Sequence, residues 1–104
     1  MSAARLVRVY VREAERHHGR PLHRALLLRL AAGGFPGCVT FKAIAGYGSH
    51  AGMRTARIFE LSQDLPVVIE IVLQEERVEA LFALFDEMLV EALVTSERIE
   101  TVKE

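Results

Sequence analysis

The sequence predicts an α+β fold in which an antiparallel sheet carries two helices on one face, and three observations lead to this class. Apolar and polar residues alternate near the N-terminus, as in a half-buried strand. Residues 75–93 repeat apolar side chains at the spacing of an amphipathic helix. Two further extended stretches precede that helix, in a chain of 104 residues that has room for one hydrophobic core.

The first strand and the first helix are predicted over residues 4–13 and 21–32. The alternation of the strand separates two sets of side chains: Val7, Val9 and Val11 on one side, and Arg8, Tyr10 and Arg12 on the other. Pro21 suits the first turn of a helix because its missing amide hydrogen would be unpaired there anyway. Gly33 and Gly34 end the helix, and Pro36 prevents its continuation.

The middle of the chain predicts two more extended regions. Residues 37–48, GCVTFKAIAGYG, form the second strand. Residues 57–74 form a third region in two pieces, divided around Asp64, Leu65 and Pro66. The division is expected because proline cannot donate to a central ladder and marks a strand start, a bulge or an edge.

The second helix is predicted over residues 75–93 and the last strand over residues 95–104. The apolar stripe of the helix consists of Val78, Leu81, Phe82, Phe85, Leu89 and Ala92. Ile99 and Val102 are expected to anchor the strand. The order strand, helix, strand, strand, helix, strand predicts a single ferredoxin-like βαββαβ domain over residues 1–104, with both helices on one face of the sheet.

Composition and charge narrow the functional classes. The formal net charge is -1, so the sequence-wide basic field of a nucleic-acid-binding protein is missing. A single cysteine, Cys38, cannot form an internal disulfide. No apolar segment approaches the roughly 20 residues of a membrane span. We therefore expect a cytoplasmic protein without direct membrane insertion.

The face of the sheet opposite the helices is predicted to be apolar. From the alternation its residues are Leu6, Tyr10, Ile44, Val68 and Val72, mixed with Arg8, Lys42 and Glu70. Covering one such apolar side chain stabilises by about 1.5–3 kcal/mol. The gain from covering five such side chains is significant compared with a total domain stability of about 5–15 kcal/mol. We therefore predict self-association through this face, although a monomer that tolerates scattered exposed apolar groups is the alternative.

A glycine-rich stretch after the second strand is the first candidate site. Gly46, Gly48 and Gly52 allow backbone amides to turn toward an anion, and His50, Arg54 and Arg57 could supply charge and bidentate donors. The alternative is a hairpin loop whose glycines only permit the turn. The stretch matches neither a dinucleotide-binding nor a phosphate-binding loop signature.

The other candidate side chains favour structural roles. His17, His18, His23 and His50 lack a metal-ligand spacing and are interpreted as surface residues. Glu70 lies within the apolar run VVIEIV, where it could serve as a general acid or base; pairing with Arg8 or Lys42 on the open face is preferred. No nucleophile or metal site is predicted.

Several motifs together resemble a known family. GCVTFKAIAGYG, a glycine-containing loop, DLPVVIEIVL and an acidic amphipathic helix resemble the PII signalling proteins. GRPLHRALL, RTARIFELSQDLPVVIEIV and LVTSERIE resemble more closely the PII-like branch known as domain of unknown function 190.

The resemblance implies a homotrimer that senses a nucleotide or other small anionic ligand at clefts between subunits and performs no chemistry itself. It places Gly46, Tyr47 and Gly48 beside the cleft, Thr40 in its lining, and residues 49–56, which include Ser49, in a mobile loop that acts on a transporter, channel or enzyme. PII proteins carry a glycine-rich loop with a lysine before the last strand, where this sequence has EALVTSERIE. Arg98 is the nearby cation in that stretch.

Two other functions share the predicted architecture. One is a small ferredoxin-like enzyme, an isomerase or oxygenase, with Glu70 or a histidine as its acid-base group. It would show that group in a closed pocket with apolar walls. The other is a trimer related to the divalent-ion tolerance proteins, which would require converging metal ligands.

Overall fold

A four-stranded antiparallel sheet and two helices form the fold, in a computed structural model that describes residues 2–46, 54–55 and 64–103, the pair 54–55 by its backbone. In chain order the elements are β1 (Ser2–Arg12), β2 (Arg16–His17), β3 (Arg20–Pro21), α1 (Leu22–Ala32), β4 (Cys38–Lys42), β5 (Ala45–Gly46), β6 (Arg54–Thr55), β7 (Pro66–Gln74), a 3-10 helix (Glu75–Arg77), α2 (Val78–Met88) and β8 (Leu93–Thr101).

The strand order of the main sheet confirms the ferredoxin-like prediction. The order is β4-β7-β1-β8, and β1·β7, β1·β8 and β4·β7 all pair antiparallel. The first and third long strands therefore lie in the centre, and the second and fourth lie at the edges. α1 connects β1 to β4, and α2 connects β7 to β8.

The hydrophobic core lies between the sheet and the two helices. The alternating side chains of β1 and β7 fill one side of it, because every second residue of a strand faces the same way. The core residues include Val7, Val9, Val11, Val67, Ile69, Ile71 and Leu73 from the sheet, and Leu22, Leu26, Leu30, Val78, Leu81, Leu84, Phe85 and Met88 from the helices. The assignment of Val7, Val9 and Val11 to the buried side is confirmed.

α1 begins one residue later than predicted and ends at the predicted residue. Pro21 is the residue before the helix, and the first helical residue is Leu22. Gly33 ends the helix, and Gly34 has a φ of 76°, which glycine adopts without steric cost. The glycine pair was therefore the correct stop signal.

α2 ends earlier than predicted, at Met88, because the chain is already extended at Leu89. The apolar stripe also differs. Leu84 and Met88 are buried, whereas Phe82 is 36% exposed. The prediction of a helix to residue 93 was wrong because the turn into β8, which begins at Leu93, occupies its last residues.

The second strand is shorter than predicted and presents its other side to the open face. β4 ends at Lys42, and β5 pairs with β6 as a separate two-stranded ladder. In β4 Val39 lies opposite Glu70 and Phe41 lies opposite Val68. Lys42, predicted on the open face, instead lies opposite the buried Val67. The error arose because the pattern of an edge strand does not reveal which of its sides faces the helices.

A short hairpin between β1 and α1 was not predicted. β2 and β3 pair through a two-residue turn, His18–Gly19, in which φ is 51° and 85°. Two successive positive φ values define a type I′ turn, whose twist suits a tight hairpin.

β8 begins and ends earlier than the predicted 95–104. Ile99 is half-buried, but Val102 lies after the strand and is 74% exposed, so its predicted anchoring role was wrong. Among residues 2–46, 54–55 and 64–103 there is no helix with the length and hydropathy needed to cross a membrane.

Candidate functional site

Four of the nine predicted ligand-binding residues belong to the described part of the chain. They are Thr40, Gly46, Arg54, described by its backbone, and Arg98. The other five lie outside the described residues: Tyr47, Gly48, Ser49, His50 and Arg57. Of the predicted loop, residues 49–56, only the two residues of β6 therefore lie in the described part of the chain.

The β4 edge of the sheet holds the first group of predicted site residues. Thr40 is exposed and lies opposite the buried Ile69, on the side of the sheet that faces the helices. Gly46 pairs with Arg54 in the β5–β6 ladder. A Cβ atom on Gly46 would lie 3.1 Å from Cγ of Pro66, so a side chain here would fit only if the proline ring or the backbone shifted slightly.

The two ends of segment 47–63 are fastened to the end of β1. The amide of Ala43 donates to the carbonyl of Pro66 at 2.9 Å, and the amide of Glu13 donates to the carbonyl of Leu65 at 2.9 Å. Lys42 Nζ lies 2.9 Å from Glu13 Oε2. The frame around the predicted loop is therefore held by both backbone hydrogen bonds and an ion pair.

Asp64 completes this frame. Its Oδ1 accepts a hydrogen bond from the amide of Ala14 at 3.1 Å, and its Oδ2 accepts one from Arg12 at 3.3 Å. The Asp64 side chain is 16% exposed, whereas that of Arg12 is 48% exposed. Sequence reasoning placed Asp64 at the break between two strand pieces and missed these contacts, because nothing in the spacing of residues 12 and 64 connects them.

Arg98 lies at the opposite edge of the sheet, in β8. It pairs in register with Arg5 of β1. Arg5 is held by Glu75 and Ser96, whereas Arg98 has no hydrogen bond or ion pair within the described part of the chain. Two whole strands, β7 and β1, separate Arg98 from β4. Of the described site residues, one copy of the chain therefore does not bring Arg98 together with Thr40.

The face of the sheet opposite the helices, the open face, carries an apolar row across all four strands. Phe41, Val68, Tyr10 and Leu93 are successive register partners. Phe41 is 50% exposed and Leu93 is 61% exposed. Val39 and Val72 extend the apolar surface, at 53% and 42% exposure.

A three-residue ion cluster interrupts the apolar surface. Arg8 Nε lies 3.0 Å from Glu70 Oε2, and Arg8 Nη1 lies 3.1 Å from Glu97 Oε1. The hydrogen bond to Glu70 is the main cause that raises the pKa of Arg8, against the opposing effect of desolvation, so Arg8 stays charged. The predicted pairing of Glu70 with Arg8 is confirmed. Glu70 therefore forms an ion pair on an open surface. The enzyme alternative required this carboxylate to lie in a closed pocket with apolar walls.

The remaining candidates form no centre of their own. The rings of His17 and His18 stack with centroids 4.1 Å apart at the tip of the β2–β3 hairpin. Burial raises the pKa of the half-buried Cys38 thiol, which keeps it protonated. Within the three described ranges no group of three His, Cys, Asp or Glu side chains converges as metal ligands would.

This fold is that of the PII-like proteins. CPII, a nitrogen regulatory PII-like protein from Thiomonas intermedia K12, superposes with a TM-score of 0.73 at 18% identity over 98% of this chain and 91% of CPII. That structure holds ADP, AMP and bicarbonate. A second CPII structure, with ADP and bicarbonate, gives a TM-score of 0.71 at 19% identity over 98% of this chain and 91% of CPII.

The chain belongs to the DUF190 family, described as "Uncharacterized ACR", whose model matches residues 4–101. A UPF0166 protein of Aquifex aeolicus is 39% identical over 75 residues, 72% of this chain and 71% of the relative. A UPF0166 protein of Methanocaldococcus jannaschii is 35% identical over 78 residues, 75% of this chain and 71% of the relative. The resemblance inferred from the sequence motifs is confirmed.

Proposed function

We propose that the chain is a PII-like sensor that binds a small anionic ligand, a nucleotide or another anionic metabolite, at the seams between copies of itself. One observation carries the proposal. Thr40 lies in β4, at one edge of the sheet, and Gly46 and Arg54 lie in the β5–β6 ladder that follows β4 in the chain, whereas Arg98 lies in β8, at the opposite edge of the sheet. A site that contains both groups needs a second copy to supply one of them.

The open face supports such self-association. Its apolar row from Phe41 to Leu93 is uncovered within one chain, and an exposed apolar patch of this kind marks an interaction surface. A homotrimer, which the PII resemblance implies, would bury this face at its centre. Arg8 and Glu70 would stay paired in that interface, so neither of these two charges would be buried alone.

Arg98 favours an anionic ligand at the seam. It is exposed and unpaired among the described residues, so its guanidinium fork is available to a phosphate or carboxylate. CPII binds ADP, AMP and bicarbonate, which are all anions. Because residues 89–98 contain no glycine, the phosphates would be held by Arg98 and the amides after β4 and not by a glycine-rich loop before β8.

Ligand occupancy would be passed on through the loop of residues 49–56. Both ends of segment 47–63 are tied to the end of β1, so a ligand that prefers one arrangement of the loop changes its population against a fixed frame. A coupling of about 1–3 kcal/mol is sufficient for regulation. The proposed target is a transporter, channel or enzyme, and the protein, acting in the cytoplasm, would perform no chemistry itself.

Calorimetry and light scattering test the proposal together. ADP, AMP and bicarbonate are titrated into the wild-type protein and into the Arg54→Ala, Arg98→Ala and Lys103→Ala variants, after the mass in solution is measured. We expect a trimer mass, and about two- to fivefold weaker binding for the two site variants but not for Lys103→Ala, since an exposed charged contact is worth up to roughly 1 kcal/mol. A monomer mass, or equal affinity for all variants, would contradict the proposal.

A further inference from the structure

The β2–β3 hairpin and the first turn of α1 form a basic surface that the proposed sensor mechanism leaves unused. Residues 16–24 contain three arginines, three histidines and no acidic residue. Arg16, Arg20 and Arg24 are exposed, and we call these three side chains the basic surface. The whole chain has a net charge of -1, so this concentration of positive charge is local.

The arginines whose side chains the structure describes fall into two groups. Arg5, Arg8, Arg12 and Arg29 bind carboxylates, and Arg77 binds two backbone carbonyls. Arg16, Arg20, Arg24 and Arg98 have no partner among residues 2–46, 54–55 and 64–103. Three of these four unpaired guanidinium groups therefore belong to the basic surface.

The hairpin holds this surface in a fixed place. Its turn is tight, because His18 and Gly19 both have positive φ and the two histidine rings stack. Its base is closed where the amide of Leu22 donates to the carbonyl of Glu15 at 2.8 Å. Arg16 lies opposite Pro21 across the hairpin. The backbone that carries the arginines is thus ordered before any partner arrives, which lowers the entropic cost of binding.

The basic surface lies close to the residues that flank segment 47–63. The hairpin begins two residues after Ala14, and Ala14 hydrogen-bonds Asp64 at the base of segment 47–63. Glu13, one residue earlier, binds Lys42 at the other base of that segment. A partner protein that contacts the loop would therefore meet the basic surface beside it.

We propose that the basic surface docks a carboxylate-rich segment of the regulated partner protein, next to the loop. This inference rests on the proposed function for its partner, and it adds the chemistry of that partner. The guanidinium fork matches a carboxylate with two parallel hydrogen bonds, and three forks, two on the hairpin and one in the first turn of α1, fit a short acidic segment.

Two other polyanions fit this surface less well. Nucleic-acid-binding surfaces combine basic with stacking aromatic side chains over a long track, whereas the basic surface spans nine residues and is bordered by Glu13, Glu15 and Asp64. A membrane-binding element would add apolar side chains that enter the interface. The hairpin tip, Arg16 to Arg20, contains none.

The test is a binding titration with defined probes. A synthetic peptide of glutamate and glycine, labelled with a fluorophore, is titrated at low ionic strength against the full chain, with a glutamine and glycine peptide as the uncharged control. We expect the Arg16→Gln/Arg20→Gln double variant to bind the acidic peptide roughly tenfold more weakly than wild type, since each exposed ion pair contributes a factor of up to about five. Added salt should weaken wild-type binding in the same direction.

A matched double variant controls for net charge. Arg29→Gln/Lys103→Gln removes the same two positive charges elsewhere on the surface and should retain wild-type affinity for the peptide. Equal weakening in both double variants, or no binding by wild type, would overturn the inference. Binding of anionic vesicles or a single-stranded oligonucleotide through Arg16 and Arg20, with none of the peptide, would also overturn it.

The outcome can be separated from that of the sensor proposal. Arg16 and Arg20 are not among the proposed ligand residues, so the double variant should bind ADP as wild type does. If wild type binds the acidic peptide but no nucleotide, the sensor proposal fails and the docking surface stands. If the double variant loses ADP and peptide together, the docking inference fails because its arginines then belong to the ligand site.

Discussion

Lys42 and Glu13 form an ion pair that joins the end of β4 to the end of β1, with Nζ 2.9 Å from Oε2. The two partners are not equivalent. The Lys42 side chain is 51% exposed, whereas that of Glu13 is 23% exposed, and Glu13 Oε1 is buried without a hydrogen-bond partner in the described structure. Loss of Lys42 therefore leaves a partly buried charge on Glu13, whereas loss of Glu13 leaves an exposed charge on Lys42.

We predict that the two truncations have unequal effects on stability. Lys42→Ala should lower the free energy of unfolding by about 1–2 kcal/mol, because it leaves a partly buried carboxylate unpaired. Glu13→Ala should cost clearly less, because it also removes the unsatisfied Oε1. Urea denaturation of both variants and of the double variant measures the coupling, and a Glu13→Ala effect as large as that of Lys42→Ala would contradict this account.

The fold was predictable because its signals are local and repeated. The alternation of β1, the stop at Gly33 and Gly34, and the start of β7 at Pro66 each depend on neighbouring residues. Features that are determined by tertiary contacts could not be predicted from the sequence. Which side of β4 faces the helices is set by its register with β7, and residues 38–42 alone do not encode that register.

The candidate site was less predictable than the fold. Gly46 was predicted to serve an anion site or a hairpin turn, and its close approach to Pro66 was not foreseen, because that contact joins residues 20 positions apart. Distances across the sheet could not be inferred, and Arg98 lies at the edge opposite Thr40. The β2–β3 hairpin was missed although His18–Gly19 is a turn signal, because the strands on either side have two residues each and show no alternation.

The open face offers a direct test of self-association. Phe41→Glu places a charge at one end of the apolar row and should shift the protein toward smaller species, because burying Phe41 would contribute about 1.5–3 kcal/mol and burying a charge would cost more. Light scattering over a concentration series measures the shift.

Val90→Glu is the control for this change. Val90 is 98% exposed and lies in the turn between α2 and β8, outside the open face, so the same charge there should leave the mass unchanged. If Phe41→Glu and wild type have the same mass at every concentration, the open face is not the surface of association.

Gly46 is predicted to be intolerant of a side chain even before ligand binding is considered. Gly46→Ala would bring its Cβ within 3.1 Å of Pro66 Cγ, so β7 or the β5–β6 ladder must shift. We expect a loss of about 1 kcal/mol in the free energy of unfolding, in the lower range for overpacked positions.

Gly37→Ala supplies the matched comparison. A Cβ at Gly37 meets nothing within 4 Å, and its φ is not positive, so alanine should stabilise by about 0.4–1 kcal/mol through the unfolded chain. Urea denaturation of both variants should show a lower free energy of unfolding for Gly46→Ala and a higher one for Gly37→Ala, if the contact with Pro66 determines the effect at Gly46. A stabilising Gly46→Ala would show that Pro66 yields without cost.

Arg77 is predicted to hold the C-terminal end of α1 from the 3-10 helix before α2. Its Nη2 donates to the carbonyl of Gly33 at 3.0 Å, and its guanidinium carbon lies 4.3 Å from the ring centre of Phe35. Cations near the last carbonyls of a helix interact favourably with the helix dipole, and the planar guanidinium group of Arg77 also stacks on the ring of Phe35.

Arg77→Ala should therefore cost about 1–2 kcal/mol in the free energy of unfolding, measured by urea denaturation. Arg77→Lys should recover less than half of this loss, because an ammonium group keeps the charge but cannot both stack on Phe35 and reach the carbonyls of Gly33 and Gly34. Arg24→Ala, which removes an exposed arginine without a partner among the described residues, should leave stability within about 0.5 kcal/mol of wild type. Full recovery by lysine would mean that charge alone matters here, and that the planar contact between the start of α2 and the end of α1 contributes nothing.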